Sequence, residues 1–212
     1  QGVSSIALAR DATVLEESQD NTRNQQASRL LPQIEQLLLK ASHSWHTLEA
    51  VLCTTGPGGF TSVRIGTATA RGIAMAAGIP AYGIPLLEVM AWYAMQQNPR
   101  LSSGVRCLLP VGRGEIACQD FALKQGAPHA LDSMTLTPRA QVTRPHPCCA
   151  YPPELAQQHH AMLFPLTSTA RLLAYMAATL PALPYPPPEP LYARSPDARV
   201  AAPLLTGPPP HA

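Results

Sequence analysis

The run Thr55-Gly56-Pro57-Gly58-Gly59-Phe60-Thr61-Ser62-Val63-Arg64-Ile65-Gly66 constrains this chain more than any other stretch, because it joins a stiff glycine turn directly to a helix. Gly56, Gly58 and Gly59 open backbone angles closed to other residues, and Pro57 fixes one φ between them. Downstream, Ser62, Gly66, Ala70 and Ala74 recur every fourth residue, a spacing that places them on one helical face. With only small side chains there, the expectation is a close-packed neighbour.

Two readings compete for the loop. Free N–H groups at a glycine turn and helix N-terminus could contact a phosphate through Gly56, Gly58 and Gly59, with Arg64 adding charge. Alternatively, the turn lets strand and helix meet tightly. A phosphate-cradling P-loop places Lys and then Ser or Thr after its last glycine, and here Phe60 follows Gly59. Spacing alone puts the packing reading first.

The same residues carry a family resemblance. Gly56 to Gly66, continued by Ala68-Thr69-Ala70-Arg71-Gly72-Ile73-Ala74 and Gly78-Ile79-Pro80, resembles the signature of the bacterial TsaB (YeaZ) family. Upstream, Ser28-Arg29-Leu30-Leu31-Pro32-Gln33-Ile34 is similar to the family's Leu-Leu-Pro helix. At the other end, Pro190-Leu191-Tyr192-Ala193-Arg194-Ser195-Pro196-Asp197-Ala198 resembles its common ending. The resemblance is specific from Gln1 to Met95 and returns only in that last stretch.

The departures are informative too. The family opens with a strand ending in Asp-Thr-Ser or Asp-Thr-Ala, whereas Gln1 to Leu8 reads as the strand that follows it, so the first strand of the sheet is expected to be missing from this sequence. The family's frequent His-Ser before the first helix is Ala27-Ser28, and its usual Arg before Gly-Pro-Gly is Thr55.

With 212 residues, 46% hydrophobic and 13% charged, the chain can bury a core of one large or two small domains. A net charge of +2 gives no basic field for wholesale nucleic-acid binding, so any link to RNA is expected to be indirect. No run nears the roughly 20 apolar residues that span a bilayer, and no basic-then-apolar signal region opens the chain. A cytoplasmic location without a membrane partner is the expectation. The five cysteines, Cys53, Cys107, Cys118, Cys148 and Cys149, show no metal or disulfide spacing. Most are expected to be buried thiols: Cys53 suits a strand, while Cys148-Cys149 is expected in a proline-rich loop where it could be oxidised, with no function assigned.

The pattern is α/β. Ile6–Ala9 and Thr13–Glu16 predict a hairpin around Arg10-Asp11-Ala12. Leu30, Leu31, Ile34, Leu37 and Leu38 form a helical stripe with Ser28 as N-cap, and Pro32 lies either in an irregular first turn or at a kink in a helix begun near Asn24. Then come a strand at Ala50–Thr54, the glycine loop, a helix to Ala77 capped by Gly78, a strand at Ala81–Ile84 and a helix over Pro85–Gln97. Beyond Gly104, Val105–Leu109 and Glu115–Ala122 predict a second sheet around Gly112-Arg113-Gly114. Proline-dense stretches at Thr137–Pro153 and Pro181–Pro190 predict extended or irregular backbone, with a helix over Thr167–Leu180 between them. The division expected is an N-terminal lobe over 1–100, a smaller C-terminal lobe over 101–200 and a frayed tail over 201–212.

Catalytic clusters are scarce. His43 and His46 fall in a connector, and His159-His160 diverge if that stretch is helical. Asp11, Glu16, Glu17 and Glu88 could in principle supply an acid pair, but exposed charges are the simpler reading. TsaD, the related catalytic family, carries a His-x-x-x-His metal pair where this chain has Asn24, Gln25, Gln26 and Ala27. No metal, cofactor or catalytic residue is therefore expected.

The resemblance implies a ribonuclease-H-like, actin-like ATPase superfold of two lobes, and a non-catalytic subunit. Such proteins pair with a TsaD-like catalytic subunit and a TsaE-like ATPase to place threonylcarbamoyl on the adenosine next to the anticodon of tRNAs. It implies a partner face on the first two helices, here Leu30, Leu31, Ile34, Ser62, Val63, Gly66, Ala70 and Ala74, with homodimerisation through the same helices as a variant. The alternative function is an active ATP-binding or phosphoryl-transfer enzyme of the same superfold, using Gly56, Gly58, Gly59 and Arg64. A zinc peptidase ranks last because no H-E-x-x-H is present.

Overall fold

The computed structural model describes residues 4–20, 26–143, 146–165, 169–180 and 184–194. The expected frayed tail over 201–212, the start Gln1 to Val3, Asn24, Gln25, and the first two residues of the helix expected at Thr167 lie outside them.

β1 (Ser4–Arg10) and β2 (Thr13–Asp20) pair antiparallel from Ser4↔Asp20 to Arg10↔Thr13, and Asp11 turns the chain at φ 52, a left-handed angle that Asp tolerates better than most residues. α1 (Gln26–Lys40) lies against this hairpin through buried Leu37 and Leu38. Asp20, only 8% exposed at the end of β2, accepts a 2.7 Å hydrogen bond from Gln33 Nε2 and pairs with Arg29 at 3.3 Å, fixing helix to hairpin. Ser28 is not the N-cap. The helix already runs at Gln26, so Ser28 falls inside its first turn, and the apolar stripe carries the helix past Pro32 although that residue has no N–H to give.

After a 3-10 turn at Trp45–Thr47, β3 (Val51–Thr54) and β4 (Ala81–Ile84) pair in parallel, Val51↔Ala81 through Thr54↔Ile84. The crossover between them is α2 (Phe60–Ala77). It ends as the sequence predicts: Gly78 takes a left-handed φ of 68, and the Gly78 and Ile79 amides both donate to the Ala74 carbonyl.

α3 (Leu86–Gln97) is the axis of the core. Leu87, Val89, Met90, Ala91 and Ala94 are fully buried, as expected of a helix apolar on nearly every face. On one side it meets a sheet ordered β10-β9-β5-β6-β7, in which β5 (Val105–Gly112), β6 (Glu115–Lys124) and β7 (Ala127–Ala130) are antiparallel neighbours. β8 (Thr135–Pro138) also pairs with β6, while β9 (Cys148–Ala150) and β10 (Met162–Leu163) add parallel strands beyond β5. Arg106 on β5 faces Asp120 on β6 in register and grips its carboxylate with both Nε and Nη2 at 2.7 and 2.5 Å. That carboxylate is the main reason the guanidinium is held above its usual range.

β9 overturns one expectation. Cys148-Cys149 is a buried strand inside a sheet, not an oxidisable loop, with Cys149 fully buried opposite Cys107. The three residues of β9 are too few to show a period in sequence, and all three of them are buried. α4 (Pro153–Gln158) follows, and α5 (Thr169–Thr179) returns to pack on β1, β2, β3 and α3. The elements at the two ends of the chain therefore share one neighbourhood.

Candidate functional site

The small-residue row of α2 does not stay on one face. Each step of four residues overshoots a full turn by about 40°, so a row of four rotates by roughly 120° along the helix. Ser62 and Gly66 are accordingly half-buried, and a Cβ on Gly66 would meet nothing within 4 Å. Ala70 and Ala74 have rotated inward and are buried in this chain. Val63 and Thr67 join them to form the buried row of a helix that packs on β3. Val63, Ala70 and Ala74, expected on the partner face, thus contribute to this chain's own packing.

What remains open is a different set. On α1, Leu30 and Ile34 are half-buried, Leu31 is 50% exposed and Leu39 is 70% exposed; on α2, Met75 is 85% exposed. The two helices touch each other. Leu39 and Met75 were missed by sequence reasoning because each sits beside a periodic position rather than on it.

The first half of the glycine loop, Thr55 to Pro57, is covered by the chain itself. Residues 184–194 run as an extended strap past β4, the loop and α2. Gly83 N–H donates to the Pro186 carbonyl at 2.9 Å, and Leu191 N–H donates to the Thr55 carbonyl at 2.7 Å. Gly56 holds φ 109, and a Cβ there would lie 2.5 Å from the Leu191 carbonyl oxygen; one on Gly83 would lie 2.6 Å from Pro188 Cα. Both glycines are required by the close approach of the strap. Gly58 and Gly59 stay exposed at the start of α2.

Arg64 is engaged in the same way. Its Nε–H donates to the Tyr192 hydroxyl at 2.7 Å, and its guanidinium lies 3.9 Å from the centre of the Phe60 ring. Phe60 and Tyr192 stack at 4.8 Å, so the residue expected to add charge for a phosphate is held in a cation–aromatic cluster. Nothing in the sequence signalled that Tyr192 would reach it, since the two residues are 128 positions apart.

The titratable residues are dispersed. Asp11 is in the β1–β2 turn, and Glu17 on β2 pairs with Arg171 on α5 at 2.6 Å. Glu88, in the first turn of α3, accepts a 2.5 Å hydrogen bond from the Tyr185 hydroxyl. Burial lifts the Glu88 carboxyl above its usual range, with the Tyr185 bond acting the other way, and burial likewise raises the Tyr185 phenol. Burial also pushes the Cys53 and Cys149 thiols up to about 12. His43 follows α1, His46 lies in the 3-10 turn and His159 ends α4. Among the described residues no three His, Cys, Asp or Glu side chains gather as a metal site would require, and no helix is long and apolar enough to cross a membrane.

Comparison with known proteins places this arrangement. Residues 14–135, more than half of the chain, match the family model described as "TsaD: tRNA N6-adenosine threonylcarbamoyltransferase". The Escherichia coli tRNA threonylcarbamoyladenosine biosynthesis protein TsaB is 35% identical over 94 residues, 44% of this chain and 40% of that protein. Its namesake from Buchnera aphidicola is 30% identical over 78 residues, 37% of each chain. The aligned stretch thus spans about two fifths of these relatives. In three dimensions the chain is similar to YeaZ from Pseudomonas aeruginosa, with a TM-score of 0.64, 22% identity, and coverage of 82% of this chain and 85% of that one. That likeness shows the fold, the actin-like and ribonuclease-H-like α/β arrangement. The chain belongs to the TsaD-like family of tRNA threonylcarbamoyladenosine proteins, on its TsaB (YeaZ) side.

Proposed function

We propose that this chain is a non-catalytic subunit of the assembly that installs threonylcarbamoyl on tRNA adenosine, pairing with a TsaD-like catalytic subunit through α1 and α2. The observation that carries the reading is the open surface of these two helices: Leu31, Leu39 and Met75 stand exposed, and a Cβ on Gly66 would meet nothing within 4 Å. Large apolar side chains on touching helices are a feature of docking surfaces. The relatives' names support a place in tRNA threonylcarbamoyladenosine biosynthesis, and the dispersal of titratable groups among the described residues favours a supporting role. The docking residues are Leu30, Leu31, Ile34, Ser62 and Gly66, with Leu39 and Met75 added; Val63, Ala70 and Ala74 support them from beneath.

The reading extends to a TsaE-like ATPase as a third component, to tRNA reached only through the complex, to a cytoplasmic setting, and to a division into lobes near residue 100. Co-purification with the TsaD-like protein of the same organism tests it. The wild type is expected to co-elute in equal amount, and Gly66→Leu to abolish co-elution while keeping the wild-type circular dichroism spectrum, because the added side chain enters space that is empty in the free chain. A wild type that elutes alone, as monomer or homodimer, refutes the pairing. Equal capture of Gly66→Leu refutes the face.

A further inference from the structure

We propose that the groove bounded by α2, the Thr55–Gly56 turn and β4 is a seat for an extended, proline-rich peptide, and that residues 184–194 are its exchangeable resident ligand. The strap reads Pro-Tyr-Pro-Pro-Pro-Glu-Pro-Leu-Tyr-Ala-Arg. Proline offers a carbonyl but no N–H, and the seat matches that inventory. Opposite the proline stretch it presents donors: the Gly83 amide to the Pro186 carbonyl at 2.9 Å and Arg71 Nη1 to the Pro188 carbonyl at 3.4 Å. Opposite Leu191, a residue that does carry an N–H, it presents an acceptor, the Thr55 carbonyl, at 2.7 Å.

Shape and anchors agree with this polar match. Gly83 and Gly56 remove the Cβ atoms that would strike Pro188 and Leu191, and Pro188 is the strap residue that sinks into burial. Aromatic residues hold both ends, Tyr185 by its hydroxyl on Glu88 and Tyr192 by its stack on Phe60 and its bond with Arg64. The partners of Tyr185 to Tyr192 all lie between Thr55 and Glu88, so that seat is built without help from the strap; Arg194, the last strap residue, is tied separately to Glu115 and to the Gly112 carbonyl at the β5–β6 turn. Pro184, Pro186, Pro187 and Glu189 are exposed and only Pro188 is buried, so the strap lies along the surface of the molecule. An extended proline-rich segment also loses little conformational freedom on docking, because it is stiff before it binds. These are the features by which peptide grooves recognise proline-rich ligands in trans.

The probe is a fluorescent synthetic peptide spanning residues 184–194, titrated by anisotropy into the full chain. Tyr185→Ala/Tyr192→Ala removes the two aromatic anchors that hold the resident strap in the seat and is expected to bind the peptide at least about tenfold more tightly than the wild type, whose seat is filled. Adding Gly83→Ala to that variant fills the space needed by Pro188 and is expected to abolish binding. No binding by the folded double variant overturns the proposal, as does binding that survives Gly83→Ala. Should the double variant fail to fold, nitrogen-15-labelled wild type gives the same test. Excess unlabelled peptide is expected to speed hydrogen exchange at the protein's own Leu191 amide while the Gly83 amide stays protected, and a Leu191 amide unaffected by peptide refutes exchange.

Discussion

Replacing Gly83 and Gly66 by alanine should move stability in opposite directions, although both add a single methyl group. At Gly83 the new Cβ would lie 2.6 Å from Pro188 Cα and 2.6 Å from Thr55 Cγ2. One of these atoms is backbone, so relief requires the strap to lift or β3 and β4 to shift. Overpacking of this kind costs about 1–3 kcal/mol. Gly83 does not hold a left-handed φ, so alanine gains back about 0.4–1 kcal/mol by restricting the unfolded chain. The net expectation is a loss of about 1–2 kcal/mol, or roughly 2–8 °C in Tm for a chain of this size. At Gly66 nothing lies within 4 Å, and alanine in a helix interior is favoured over glycine by about 0.5–1 kcal/mol. Urea unfolding followed by circular dichroism measures both. Gly83→Ala as stable as the wild type would refute the close seating of the strap, and a destabilised Gly66→Ala would refute the open face of α2.

Other expectations concern charge and thiols. Because the folded pKa of Glu88 is raised above its ordinary 4.5, the native state holds the proton longer than the unfolded chain, so this residue's contribution to stability is full below pH 4.5 and is lost as pH rises through the raised value. Glu88→Gln, which keeps an acceptor for Tyr185, should remove that slope and be more stable than the wild type at pH 7; identical pH profiles would refute the assignment. Truncating Asp120 to Ala leaves the Arg106 guanidinium, 15% exposed on β5, with only the Thr143 oxygens among the described residues to accept from it and should cost about 3 kcal/mol, a loss of under 1 kcal/mol in urea unfolding being the contrary result. Cys107 and Cys149, both fully buried with raised pKa values, should react with an aromatic disulfide reagent at pH 8 only after denaturant is added, and rapid native labelling would contradict their place in the sheet.

The strands and helices up to Gln97 were legible in sequence because each carries its own local signal. The αL glycine at Gly78, the glycine loop before α2 and the leucine stripe of α1 all act over a few residues. β9 and α4 were not legible, since three and six residues on either side of Pro152 leave no room for a period to show. At the site, the glycines of the loop stood out at once, yet their partner did not. Gly56 and Gly83 answer to Leu191 and Pro188, and Arg64 to Tyr192, contacts that only the return of the chain can create. The four-residue spacing of Ser62, Gly66, Ala70 and Ala74 misled for a geometric reason, because a row at that interval winds around the helix and passes from surface to core.

The central claim, that this chain supports a transferase without performing the transfer, is tested most directly by reconstitution with purified TsaD-like subunit, TsaE-like ATPase, unmodified tRNA and threonylcarbamoyl-adenylate, with threonylcarbamoyladenosine in the tRNA measured by mass spectrometry. Product is expected with all proteins present, with a drop to background when this chain is left out or replaced by Gly66→Leu, and none from this chain alone. Product made by this chain alone, or an unchanged yield in its absence, would contradict the claim.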